Sequence, residues 1–194
     1  MKQDKYDCSI IIGDVGIGFP FGDWNLPVLH PNHKFIRGNH DNPEVCREHT
    51  NYLGDFGYLK EQDIFFVSGG FSIDKQFRTE NITWWPDEEL SYKQGIDVLE
   101  LYGEVKPRVV ISHECPTAIK PYVLTNTYKF NIVSNTESLL QKMFSMHRPE
   151  YWIFGHHHKR LEMEIGTTKF IALKDIHPNN KIGPCVYEIP DIKF

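Results

Sequence analysis

Four short apolar runs, each ending abruptly at a glycine or a histidine, constrain this chain more than any other feature. Ser9-Ile10-Ile11-Ile12 stops at Gly13-Asp14, and His33-Lys34-Phe35-Ile36-Arg37 runs into Gly38-Asn39-His40-Asp41. Arg108-Val109-Val110-Ile111-Ser112 ends in His113, and Tyr151-Trp152-Ile153-Phe154 ends in Gly155-His156-His157-His158. Runs this short, rich in β-branched and aromatic residues, read as buried strands. In open α/β sheets, sites form at the carboxyl ends of strands. The pattern therefore gathers one carboxylate, one amide oxygen and several imidazoles into one cleft. The glycines let the backbone turn sharply, so that the next side chain points into it.

The remaining elements suit the same architecture. Ser134 and Glu137 have capping-box spacing, and Leu139, Leu140, Met143 and Phe144 follow as a helical apolar face. A second helix is expected over 87–103, after Pro86 and with acids in its first turn. Asp63 to Ser68 and Phe71 to Asp74 flank Gly69-Gly70 and read as a hairpin. Lys159 to Ile165 and Thr167 to Leu173 read as another, turning at Gly166, and Cys185 to Ile189 as a last strand. Early alternation of strands with helices, followed by antiparallel strands, predicts an α/β fold with mixed sheets.

A chain of 194 residues suits one domain spanning 1–194. At this length folding buries roughly 70% of the surface that the unfolded chain exposes. No apolar run approaches the roughly 20 residues of a membrane helix. Met1 to Lys5 lacks the apolar core of a secretory signal, so the expected compartment is the cytoplasm. A net charge of −5 argues against broad electrostatic binding of nucleic acid. It leaves a phosphate substrate open, because bound metal ions invert local charge. The four cysteines, Cys8, Cys46, Cys115 and Cys185, form no C-x-x-C pair and read as reduced thiols.

Carboxylate, amide oxygen and imidazole together suit Mn, Fe, Zn or Ni better than Ca or Mg. A carboxylate can bridge two such ions about 3.5–4 Å apart, and the pair activates a shared water and clamps phosphate oxygens. His156 and His158 lie two apart, so on an extended segment both project to one side.

Gly13-Asp14, Gly38-Asn39-His40-Asp41, His113 and Gly155-His156-His157-His158 resemble, in order, the second to fifth motifs of the calcineurin-like metallophosphoesterases. A specified tetrapeptide such as G-N-H-D arises by chance in about one chain per thousand of this length. The resemblance covers residues 9–158 and implies a sandwich of two packed mixed β-sheets flanked by helices. It implies hydrolysis of a phosphate mono- or diester, from a small-molecule or nucleotide substrate, by a metal-activated water. The implied cofactor is one or two divalent transition ions, Mn²⁺ first. By resemblance Asp14 would bridge the metals. Asn39, His113 and His156 would complete the second-metal site, and His158 would bind the first metal. His40 would polarise the phosphate and Asp41 would orient its ring. Arg37 precedes the motif as does an arginine that grips phosphate in phosphoprotein phosphatases.

The family's opening D-x-H motif has no counterpart here: Asp4 and Asp7 are not followed by histidine at that spacing. The family's first strand is thus missing or replaced. Three readings remain open: a chain shortened relative to its gene product, a site with one well-held metal and a second weakly held or absent, or substitution by another residue such as Asp23 or the near-N-terminal acids Asp4 and Asp7. A folded sheet usually covers an unpaired edge, so the segment before residue 9, a rearranged sheet or another subunit is expected to cover that of 9–13. Two further functional readings accompany the phosphoesterase. One is a catalytically weak metal- or nucleotide-binding regulatory protein on the same fold. The other is a nuclease, which the acidic balance disfavours.

Overall fold

Six strands lie side by side in one sheet, and the side chains of its central strands alternate strictly between two cores. The computed structural model describes residues 7–19, 30–124, 132–176 and 185–192. Its strands are β1 (Ser9–Ile12), β2 (His33–Ile36), β3 (Phe56–Leu59), β4 (Ile64–Val67), β5 (Val109–Ser112), β6 (Tyr151–Phe154), β7 (Leu161–Ile165) and β8 (Thr168–Ala172). Its α-helices are α1 (Pro43–Glu48), α2 (Tyr92–Val105), α3 (Lys120–Val123) and α4 (Asn135–Met146). The large sheet has the order β3-β4-β5-β6-β8-β7. β4, β5, β6 and β8 run parallel, and β3 and β7 close the edges antiparallel. β1 and β2 form a parallel pair of their own.

Alternation explains why the central strands read as continuous apolar runs: both faces are covered. Phe65, Val110, Trp152 and Phe154 face one core, which α2 and α4 close with Val98, Tyr102, Leu140 and Met143. Ile64, Phe66, Val109, Ile111 and Ile153 face the other, where Ile36, Ile10 and Ile12 of the small sheet meet them. Two sheets thus pack face to face with helices outside, the expected mixed α/β architecture. Among the described residues, no helix is long and apolar enough to cross a membrane.

α4 forms where its capping box stands: Ser134 Oγ accepts from Glu137 N, and the Glu137 side chain returns to Ser134 N. α2 starts at Tyr92, later than the expected 87, because the residues before it have other duties. Glu88 sends its carbonyl to Arg37 and its carboxylate to Ser72, and Ser91 with Gln94 then builds the cap. The hairpin expected around Gly69-Gly70 is not formed. β4 turns back instead onto β3, upstream of it, with Asp63 at φ 53° in the turn. The last hairpin forms as expected at Gly166, φ 63°. Residues 185–189 are not a strand, and Tyr187 and Ile189 pack on the inter-sheet core as irregular chain.

The edge of β2 away from β1 is closed by Asn51 and Leu53, which bond the Phe35 backbone. Among the described residues β1 pairs with β2 alone. Its residues are nevertheless half-buried, and the Ile12 carbonyl accepts a hydrogen bond from His113 Nδ1 at 2.8 Å. Residues 1–6 lie outside the described residues.

Candidate metal centre

Parallel pairing places the carboxyl ends of β1, β2, β5 and β6 at one end of the two sheets. Four side-chain atoms meet there. His113 Nε2 lies 3.3 Å from Asp14 Oδ1, 3.1 Å from Asn39 Oδ1 and 3.2 Å from His156 Nδ1. His156 Nδ1 lies 3.0 Å from Asn39 Oδ1. Asp14, His113 and His156 form a group whose ligand atoms all lie within 4.8 Å of one another.

What decides the character of this cluster is where its protons are. His113 Nδ1 faces the Ile12 carbonyl, which only accepts, so Nδ1 carries the proton and Nε2 presents a lone pair inward. His156 Nε2 lies 3.1 Å from Glu114 Oε2, which holds the proton on that side and leaves Nδ1 as a lone pair. Asn39 Nδ2 donates outward to Ser72 Oγ at 3.1 Å, and Ser72 Oγ donates to Glu88 Oε2 at 2.5 Å, so Asn39 Oδ1 faces inward. Four acceptors therefore point at one another with no proton between them. Such an arrangement is repulsive as it stands and suits a cation at its centre. Burial lowers the His156 pKa to about 4, so the ring is neutral at pH 7, as metal ligation requires. Burial would raise the Asp14 carboxyl. As the carboxyl titrates in acid, attraction to the protonated forms of His113, His40 and His156, together with the His40 N–H, more than offsets this and holds it below its usual value.

The backbone is bent to make this meeting possible. Asp14 and His156 sit at φ 55° and 62°, where non-glycine residues are uncommon. Strain of this kind persists only where the surroundings over-determine it, and it clusters at functional sites. Gly38 shows a second constraint: a Cβ there would collide with Asp14 Oδ1 and lie 2.7 Å from His113 Cε1.

His158, the expected first-metal ligand, is not in this group. Its side chain is 62% exposed, and its Nδ1 stands 3.8 Å from Asp175 Oδ2. Of the acids considered as substitutes, Asp7 is exposed, and Asp4 and Asp23 lie outside the described residues. His40 stands beside the cluster, its backbone N–H donating to Asp14 Oδ1 at 3.0 Å. Asp41 does not touch the His40 ring. Its Oδ1 accepts from Gly16 N and Ile17 N, and its Oδ2 from Gly38 N, so it ties the loops after β1 and β2 together. Arg37 does not face the cleft either. Fully buried, it donates to Asp55 Oδ1 at 2.9 Å and to the Glu88 carbonyl at 2.6 Å. The cation beside His40 is Arg78, whose Nη2 donates to His40 Nε2 at 2.7 Å and pairs with Asp74 Oδ1 at 2.9 Å. Burial, with Arg78 and His113, lowers the His40 pKa against the opposing pull of Asp14 and Asp74. Phe19 stacks on His40 with centroids 5.9 Å apart, and Trp85 meets Phe19 edge-on at 5.3 Å.

The family model for the calcineurin-like phosphoesterases matches residues 2–160. The chain belongs to this family. No curated protein matches it significantly in sequence. Among solved structures, it is similar to the phosphopantetheinyl hydrolase PptH from Mycobacterium tuberculosis. The identity is 13% and the TM-score 0.38, over 73% of this chain and 69% of that one. As a calcineurin-like phosphoesterase the chain is of a family that uses divalent metal ions, and the inward lone pairs of its cleft fit such an ion. Sequence reading missed Arg78, Glu88 and Glu114 in this phosphoesterase cleft. Arg78 and Glu88 come from the long β4–α2 connection, which carries no motif. Glu114 directly follows His113, and a carboxylate next to a candidate ligand is the one signal that pointed to it.

Proposed function

We propose that this single domain hydrolyses phosphate esters with a divalent transition ion, Mn²⁺ first, held by Asp14, Asn39, His113 and His156. The convergence of four inward acceptor atoms, three of them fixed by an outward partner on the same side chain, carries the reading. A bound ion at such a centre would lower the pKa of a water and polarise a phosphate oxygen. The chain supplies the remainder. Arg78 places a permanent charge next to His40, where a phosphate oxygen can take up its N–H. With Arg78 donating to Nε2, the resting His40 is neutral and carries its proton on Nδ1. Once phosphate occupies Arg78, Nε2 is free to take up a proton from solvent, and the imidazolium so formed can pass that proton to the leaving ester oxygen. Phe19, stacked on His40 and backed by the buried Trp85, offers an apolar face that suits an aryl group or a nucleobase on the substrate.

A second reading is a catalytically weak binding protein on the same fold, and the exposed position of His158, away from the Asp14 group, favours it. Hydrolysis of an aryl phosphomonoester and an aryl phosphodiester by the purified chain in Mn²⁺, with Asp14→Asn as the background, separates the two. Turnover above that background, abolished by a chelator, is expected of the phosphoesterase. Turnover equal to the background, from folded and metal-loaded protein, would establish the binding protein instead.

A further inference from the structure

Glu114 is buried, directly follows one candidate ligand in sequence and touches another in space. Its Oε1 accepts from the Cys115 backbone N–H and from His157 Nε2, each at 2.8 Å. Its Oε2 stands 3.1 Å from His156 Nε2. His157 is itself held, its side chain 5% exposed and packed edge-on against Phe154 at 6.3 Å between centroids. Oε1 is therefore occupied by two donors, and only Oε2 is left to His156. A carboxylate accepts and does not donate, and a neutral imidazole has one proton. That proton must then be on Nε2 of His156.

We infer that Glu114 is a positioning residue for the metal centre, fixing His156 as the Nε2–H tautomer so that Nδ1 faces Asp14, Asn39 and His113. The inference rests on the metal-dependent reading of that cluster. It makes the His113-Glu114 dipeptide a two-part device at the end of β5. His113 offers a ligand atom, and Glu114 reaches across to the end of β6 to aim the ligand atom of the neighbouring strand. It also gives His157 a purpose: it anchors the carboxylate that orients His156. Hydrogen bonding of a ligating histidine's other ring nitrogen to a carboxylate generally fixes tautomer and orientation, and loss of such a partner costs about 10–100-fold in metal affinity or activity.

Glu114→Gln tests this without changing volume. The carboxamide oxygen is needed by His157 and Cys115, so the NH₂ group would face His156 and require a lone pair on Nε2. The proton would move to Nδ1, among the ligand atoms. Long-range ¹H–¹⁵N spectra of the metal-free protein should show His156 protonated on Nε2 in the wild type and on Nδ1 in Glu114→Gln. Calorimetric Mn²⁺ affinity should fall about 10–100-fold in the variant. In the Zn²⁺-loaded wild type the Nε2–H signal should persist. A wild-type His156 protonated on Nδ1 would overturn the inference, and this needs no folded variant. So would loss of the Nε2–H on Zn²⁺ binding, which would seat the ion among Glu114, His156 and His157. An unchanged tautomer and affinity in Glu114→Gln would overturn it too. A wild type that binds no divalent ion would sink the phosphoesterase reading, while the tautomer would still report on Glu114.

Discussion

Asp14, Asn39, His113 and His156 were legible as a set because each ends a strand that is unmistakable in sequence, and parallel pairing then left them one place to meet. Their supporting atoms were not legible. The Ile12 carbonyl, Ser72 and Glu88 act through orientation, which leaves no compositional trace. Arg37 and Asp41 show the limit of reading roles from position in a motif. Arg37 is drawn beneath the site by Asp55, and Asp41 is consumed by three backbone N–H groups. Arg78 takes the place beside His40 that the family resemblance implied for them. Steady-state kinetics of two variants check this division of labour. His40→Ala should keep full metal affinity and lose roughly 10²–10⁴ in kcat. Arg78→Ala should also keep the metal but lose about 10–100-fold in kcat/KM, mainly through KM, as expected for one charge-assisted hydrogen bond. An Arg78→Ala enzyme with unaltered KM would show that the guanidinium never meets the substrate.

At the scale of elements, the connections were harder to read than the strands. Gly69 and Gly70 looked like a turn because paired glycines usually make one. Gly69 N instead bonds the Arg37 carbonyl at 2.8 Å, and a Cβ on Gly70 would lie 3.0 Å from His113 Cδ2, so these glycines permit close approach to the site. Residues 185–189 carry the strand-forming Val186, Tyr187 and Ile189 but join no sheet, and Tyr187 and Ile189 pack on the inter-sheet core. The elements around β2 are joined through Asp55, which binds Arg37 after β2, Arg47 in α1 and Gln94 in α2. Burial would raise its carboxyl. The charge and hydrogen bond of Arg37, with Tyr52 and Arg47, more than offset this and hold it below the ordinary 3.8. A carboxyl lowered in the folded state adds stability above its unfolded value, and that stability is lost as pH falls through the folded value. Urea unfolding should therefore find Asp55→Asn less stable than wild type at pH 7, by on the order of 3 kcal/mol. The gap should hold down to about pH 4 and close below it. A gap that widens with acid would mean Asp55 is not held ionised by Arg37.

For the whole molecule, the alternation of strands and helices pointed to mixed α/β sheets, and the resemblance to the calcineurin-like family implied that two of them pack as a sandwich. The small β1–β2 sheet packs its isoleucines on the large one and brings Asp14 and Asn39 over the ends of β5 and β6. Neither sheet alone holds the full set, so metal binding reports on the docking of the two. His158, which the resemblance implied for a first metal, is exposed and lies outside the Asp14 group, so a single well-held ion is expected. Anomalous diffraction from crystals grown with Mn²⁺ locates that ion directly. One strong peak enclosed by Asp14 Oδ1, Asn39 Oδ1, His113 Nε2 and His156 Nδ1 is the predicted result. No peak there in metal-saturated crystals, or a peak beside Glu114 and His157 instead, would contradict it.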